Sequence, residues 1–274
     1  MKEKRNQKSN FKNILKRIAK MFFAQEFMHK EQLLIWIISD IIKIVGLSFV
    51  WSASARMTGS TDQGYVITYY IMMILVGKLM QDITPENGVR QILSGKFSNS
   101  LLKPMSYLTE YLGSNLGSNI FRLVVSIPAF GLGMYITMKL GFWIADFNPY
   151  LIFVALIAVI LGFLINFLLG NIFTLLSFYN KNMEGMRTFY YNIAAFFSGE
   201  YVPFVVLPLV ALFTVQILPF RYTLSFPIEI LLGRITNYDI GFGFVIGVSW
   251  LIVLYIIYSI FFKISIKKYA AEGV

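Results

Sequence analysis

Between Asp146 and Lys181 the chain runs for 34 residues without a charged side chain, and between Asp239 and Lys263 for another 23. As helix the first run would extend about 50 Å, when roughly 20 apolar residues already cross a ~30 Å hydrocarbon core. Such runs dictate a fold whose solvent is lipid. Composition agrees: 57% of the 274 residues are hydrophobic and 14% charged, against about 25% charged in soluble domains. The expected class is an all-α polytopic membrane protein, because backbone polar groups in lipid must be satisfied internally.

Six segments read as transmembrane helices: residues 33–55, 65–81, 111–138, 149–179, 188–202 and 242–262. The fourth is long enough that it must tilt, bend near Gly162 or Gly170, or project from the bilayer. The fifth belongs to an apolar stretch, Thr188 to Phe220, that is interrupted by Ser198-Gly199-Glu200, Pro203, Pro208 and Pro219. The reading is a helix that breaks at Gly199 and Pro203, followed over 203–240 by a re-entrant element and an extracellular segment. Interrupted backbone at membrane depth is tolerated only where protein or water covers it. The first span, with basic residues before it and Ser52-Ala53-Ser54-Ala55 at its end, imitates a signal peptide. A signal h-region is about 7–15 residues and uncharged, whereas this run is longer and holds Asp40 and Lys43.

Lysine and arginine set the orientation. With both termini inside, cytoplasmic segments hold 17 of these residues, nine of them in positions 1–32, and outer segments hold four, Arg56, Lys139, Arg221 and Arg234. The net charge of +10 is therefore a topology signal: a multi-pass cell-membrane protein with both termini cytoplasmic. The cytoplasmic tail, 1–32, contains an apolar stripe at helical spacing (Phe11, Ile14, Leu15, Ile18, Met21, Phe22) beside Lys12, Lys16, Arg17 and Lys20. It reads as an N-terminal amphipathic interfacial helix on anionic lipid, with a solvated basic tail as the plainer alternative. The basic stretch is too short, and too close to a span, to suggest nucleic acid.

Whole classes of chemistry are excluded. Cysteine is absent and the single histidine is His29, so disulfides, zinc–thiolate sites, iron–sulfur clusters and histidine clusters cannot be assembled. No metal or cofactor is expected on this chain. Residues 84–105, between the second and third spans, are too patterned for a passive linker. Thr84-Pro85-Glu86 opens a helix, Gly95 stops it, and Leu101-Leu102 precedes Pro104. A short helix there is a docking platform for a soluble partner. Gly88 to Lys96 is no phosphate loop: the spacing is Gly-x6-Gly-Lys followed by Phe97, where a P-loop needs Gly-x4-Gly-Lys-Ser/Thr. The chain has no ATPase site and is not read as an enzyme.

Ionisable residues at membrane depth are functional candidates by default. Asp40 and Lys43, at i and i+3, either line a transport path, contact a second subunit, or neutralise each other on one helix face. Glu200 is placed near the outer boundary, where a structural cap of the break is its alternative role. Arg122 is expected to snorkel to the inner interface. Gly113-x-x-x-Gly117 and Gly243-x-x-x-Gly247 offer close-packing faces, and Trp36, Trp51, Tyr65, Trp143 and Trp250 suit interfacial belts.

The stretches SGEYVPFVVLP (198–208) and LPFRYTLSFPIEILLGR (218–234) resemble the C-terminal signature of ABC-2-type permeases, and ITPENGVRQILSGKFSNSLLKPMSYLTEYLG (83–113) resembles their first cytoplasmic loop. The form Ile92-x-x-Gly95-x5-Leu101-Leu102-Lys103-Pro104 is closest to a bacterial branch of that family. The resemblance implies that 33–274 is a six-helix ABC-2-type transmembrane domain. It implies two copies of a cytoplasmic ABC ATPase, which would carry the ATP and Mg, and a second permease, identical or paralogous. Glu86, Asn87, Gly88, Arg90, Gln91, Gly95 and Lys96 would then couple to the ATPase, with the N-terminal helix as a second contact. Export of an amphiphile (lipid, peptide or drug-like) is the function this implies. The alternative is an ion-coupled secondary transporter or channel using Asp40, Lys43 and Glu200, which the lack of a visible inverted repeat disfavours.

Overall fold

Helix is the one regular structure in the computed structural model, which describes residues 2–28, 30–58, 62–103, 105–146 and 148–271. In chain order the α-helices are α1 (Lys2–Met28), α2 (Lys30–Thr58), α3 (Gln63–Met80), α4 (Thr84–Leu93), α5 (Phe97–Leu101), α6 (Tyr107–Lys139), α7 (Pro149–Leu175), α8 (Glu184–Phe197), α9 (Leu209–Ile217), α10 (Ser225–Leu231) and α11 (Asn237–Ala271). Short 3-10 turns cover 176–178, 204–206 and 219–223. His29 and Pro104 lie outside the described residues, as do the side chains of Phe11 and Trp36.

The helix starts have local causes. Asp62 caps α3 by accepting the Gly64 N–H at 2.9 Å, Ser106 caps α6 through the Thr109 N–H at 3.2 Å, and Asn148 caps α7 through the Tyr150 N–H at 2.9 Å. Each satisfies a donor that the first helical turn leaves without an intrahelical partner.

Among the described residues, five stretches are long and apolar enough to cross a membrane: Ile37–Ser54, Gln63–Leu93, Tyr107–Lys139, Pro149–Phe178 and Asn237–Tyr269. The segment expected as the fifth span is shorter. α8 has 14 residues, about 21 Å of helix, and ends three residues before Glu200. α7 takes up 27 residues of the 34-residue uncharged run and passes through Gly162 and Gly170 as unbroken helix. Both glycines let other groups come close: the Tyr222 carbonyl at Gly162 and the Asp82 carboxylate at Gly170.

α7 anchors the apolar core. Ala155, Ala158, Leu161, Ile165 and Leu168 are buried with Tyr222, Phe226 and Ile230 of the 219–231 segment and with Leu254 and Tyr258 of α11. A second core joins Tyr65, Val66, Tyr69, Tyr70 and Met73 of α3 to Ile44 of α2 and to Leu224 and Ile228.

α1 lies along α6 rather than standing free. Gly113 admits Leu15 and Ile18, and Gly117 meets the Ala19 backbone so closely that a side chain would collide with it. The Phe23 ring stands edge-on to Phe121 at 5.2 Å. Part of the apolar stripe expected against lipid is thus taken up by protein, while Lys12, Lys16, Arg17 and Lys20 stay exposed. Arg122 has partners within the protein: it pairs with Glu26 of α1 at 3.2 Å and donates to Gln81 at 3.0 Å.

Candidate functional site

The charged residues Asp40 and Lys43 of α2 and Lys78 of α3 converge on one place. A cavity of about 510 Å³ opens between α2, α3 and α8 and is lined by Asp40, Lys43, Lys78, Asp82, Glu86, Arg122 and Glu200, together with Asn166, Tyr190, Tyr191 and Tyr201. Asp40 and Lys43 do not neutralise each other as the i, i+3 spacing allows. Each reaches across to another element: Asp40 pairs with Lys78 of α3, and Lys43 with Glu200 just after α8. Lys43 also sits over the Tyr201 ring at 5.6 Å. Glu200 is therefore level with the middle of α2, not with the end of a span, because α8 is too short to carry it further.

The chain breaks where the sequence is glycine. Gly199 has φ +88°, a left-handed conformation that costs residues with a Cβ about 1–2 kcal/mol. A Cβ there would also meet the Tyr69 hydroxyl and Ser225. Pro203 follows in extended conformation and opens the 204–206 turn. Helix ending at membrane depth leaves carbonyls that need donors, and neighbouring side chains supply them. The Tyr69 hydroxyl donates to the Gly199 carbonyl at 2.9 Å, while Trp51 Nε1 and the Tyr70 hydroxyl both donate to that of Tyr201, at 2.8 and 3.1 Å. The Ser225 N–H donates to the Ser198 carbonyl at 3.1 Å, so the chain returns to the break at the start of α10.

α4 sits at one end of this cavity. Thr84, Pro85, Gly88, Val89 and Ile92 are buried, while Glu86, Arg90, Leu93 and Lys96 are exposed. Glu86 and Arg90 pair at 3.0 Å. Gln91 Oε1 accepts from the Ser100 hydroxyl at 3.3 Å. Asn87 is half-buried. Gly95, with φ +71°, ends the helix, and its carbonyl accepts from the Tyr269 hydroxyl of α11 at 3.2 Å. Gly88 is not available for contact, contrary to expectation, since a side chain there would run into Thr174 and the Tyr107 hydroxyl.

Three asparagines fasten the link between α3 and α4, and none of them was singled out in the sequence. Asn119 donates to the carbonyls of Leu79 and Gln81 at 2.9 and 2.8 Å, and Asn166 donates to that of Met80. Asn115 accepts the Ile83 N–H and donates to the Thr84 hydroxyl, both at 2.9 Å. Their signal was present: asparagine is a poor helix former, yet these three sit inside the long helices α6 and α7.

Across the molecule from α4, a second cavity of about 440 Å³ is lined by Asp62, Tyr65, Arg221, Glu229, Arg234 and Asp239 among others. Arg221 and Glu229 pair there at 2.7 Å, and Arg234 and Asp62 at 3.3 Å. Burial works against the Arg221 charge, but the Glu229 carboxylate outweighs it and raises the guanidinium pKa.

Residues 21–273 match the family described as ABC-2 family transporter protein. The chain belongs to the ABC-2 transporter family. A comparison with curated proteins finds no match. This ABC-2-type permease is thus a multi-pass membrane component of a transporter. The family comprises membrane components without an ATPase site of their own, and its permeases generally work with ABC ATPase subunits. No group of acidic and histidine residues suited to a metal ion occurs among the described residues.

Proposed function

We propose that this chain is the transmembrane subunit of an ATP-binding-cassette exporter. It moves an amphiphilic substrate outward, driven by two cytoplasmic ATPase subunits that hold the ATP and Mg. Two permeases, identical or paralogous, complete the assembly in the cell membrane, with termini inside. On this reading α8 and the chain beyond it form the fifth of six spans, a broken one, and a re-entrant element. The charged cavity is the transport path, where Asp40, Lys43 and Glu200 are met by substrate.

The observation that carries the proposal is the construction of α4. It follows a spanning helix after three residues, buries one face on α7, and presents Glu86, Arg90 and Lys96 on the other. Displacement of the exposed face passes to the cavity through the Asn115 bonds and Asp82. The test is co-purification with an ABC ATPase encoded beside this gene. Reversing both charges, Glu86→Arg with Arg90→Glu, keeps the intrahelical pair but should abolish association and the permease-dependent ATP hydrolysis. Unchanged association would sink the coupling assignment. The ionised cavity wall is the one observation favouring an ion-coupled carrier. Transport without ATP, driven by an ion gradient, would establish that reading instead.

A further inference from the structure

The two cavities follow one another along α3. The charged one touches this helix at Met73, Ile74, Gly77 and Lys78, and the second touches it at Tyr65, beside the cap Asp62. From Tyr65 to Met73 is about 12 Å of helix. Tyr69, midway between them, is buried and lines neither cavity. Each cavity has a solvated ion pair at its rim. Glu86, paired with Arg90, is exposed at the first, and Asp62 and Arg234 are exposed at the second.

The break in the chain separates them. Ser198 and Glu200 line the first cavity and Phe204 the second, with Gly199 between. The returning strand of chain repeats the arrangement: Thr223 and Leu224 border the first cavity, and Tyr222 borders the second. The partition is therefore thin, and it is closed by two hydrogen bonds and one ring. The Tyr69 hydroxyl donates to the Gly199 carbonyl at 2.9 Å, and the Ser225 N–H to the Ser198 carbonyl at 3.1 Å. The buried Phe204 ring turns an edge toward Gly199.

Such a wall can move without disturbing its supports. α8 ends before it and α10 begins after it, so no spanning helix must unwind. Hinges are a few element-terminal residues that absorb a change in φ and ψ. Gly199, at φ +88° and without a Cβ, is the position here with the widest choice of both.

We infer that Ser198 to Phe204 is a gate between two halves of one passage enclosed by a single chain. Gly199 is its hinge, and the Tyr69 hydroxyl and the Phe204 ring are its latch. This extends the transport path proposed above beyond the charged cavity, and so rests on that reading. The chain has no cysteine, so a single introduced thiol reports accessibility without background. Full-length permease with its ATPase in proteoliposomes carries Ala194→Cys in the first cavity or Gln216→Cys in the second. A membrane-impermeant methanethiosulfonate with a trimethylammonium group is added to one face at a time.

Ala194→Cys should react from the α4 side alone and Gln216→Cys from the opposite side alone. Adding Phe204→Ala to Ala194→Cys should speed labelling from the far side at least about tenfold, because the missing ring leaves space that joins the cavities. Tyr69→Phe should speed it about threefold to tenfold, the worth of a hydrogen bond made only when the gate is shut. With Phe204→Ala and Ala194→Cys on separate copies, far-side labelling should stay at background.

Equal labelling of Ala194→Cys from both faces of the otherwise unaltered chain overturns the inference, as does a Phe204→Ala effect exerted on another copy. Should Phe204→Ala not fold, Tyr69→Phe decides: an unchanged far-side rate overturns the gate. ATP hydrolysis should itself expose Ala194→Cys to the far side. Gate variants that behave as expected without that response would leave the partition standing and remove the ATP-driven reading. ATP-driven transport with both gate variants silent would do the reverse.

Discussion

α7 and α2 are both long apolar helices, yet 39% of the apolar window of α7 is buried and only 11% of that of α2. α7 is held by shape: Gly162 and Gly170 admit their neighbours, and aliphatic and aromatic side chains fill the remaining space. α2 is held by a few polar contacts, Asp40 to Lys78, Lys43 to Glu200 and Trp51 to Tyr201, around space that is left open. Close packing without water to exclude gives rigidity through many small contacts. Ionic contacts in a partly wet cavity are fewer, directional and exchangeable. The difference assigns the fixed frame to α7 and the adjustable wall to α2.

The comparison breaks most readily at its glycines. Gly162→Ala puts a methyl group against the Tyr222 carbonyl, which backbone cannot yield. Overpacking of this kind costs about 1–3 kcal/mol or more, and a large fall in the thermal midpoint of the purified protein is expected. Gly46→Ala on α2 meets nothing within 4 Å and should leave the midpoint unchanged or slightly raised. Equal effects would erase the distinction between frame and wall.

Next in size are the ion pairs. The Lys78 side chain is 12% exposed and that of Lys43 36%. Removing one partner of a buried pair costs about 3–5 kcal/mol, and an exposed pair contributes under about 1 kcal/mol. Lys78→Ala should therefore destabilise clearly more than Lys43→Ala in thermal unfolding, and the exchange Asp40→Lys with Lys78→Asp should recover part of the loss. A smaller, local effect is expected of Asn115→Ala, which removes its hydrogen bonds with Ile83, Thr84 and Tyr111, at a cost of about 1–3 kcal/mol where a buried group is left unpaired. Hydrogen exchange should quicken over residues 83–93 and remain slow in α7. Smallest is Glu86→Gln, on a solvated i, i+4 pair worth about 0.3–0.5 kcal/mol. The midpoint should not move measurably.

The rigid frame was the more legible half in the sequence. Uncharged runs announce apolar helices, and Thr84-Pro85 and Gly95 mark the ends of α4 because proline and glycine act through local backbone geometry. Gly199 and Pro203 mark the break for the same reason. The wall was not legible. Asp40 and Lys43 are local neighbours, so spacing alone suggests that they pair with each other, whereas Glu200 lies 157 residues from Lys43. Asn115, Asn119 and Asn166 have short polar side chains that could equally bond within their own helices. Only the fold shows that the segment joining α3 to α4 makes hydrogen bonds with all three. α8 ends at Phe197, just before that break, although apolar content continues past it.

The Tyr201 carbonyl has two donors, the indole of Trp51 on α2 and the phenol of Tyr70 on α3. A carbonyl oxygen has two lone pairs, and losing one donor does not leave it bare. α2 can let go of the break while α3 keeps its grip, and no unsatisfied acceptor is stranded in lipid. The redundancy at this one oxygen gives α2 a reversible clasp, released without undoing the seam it closes.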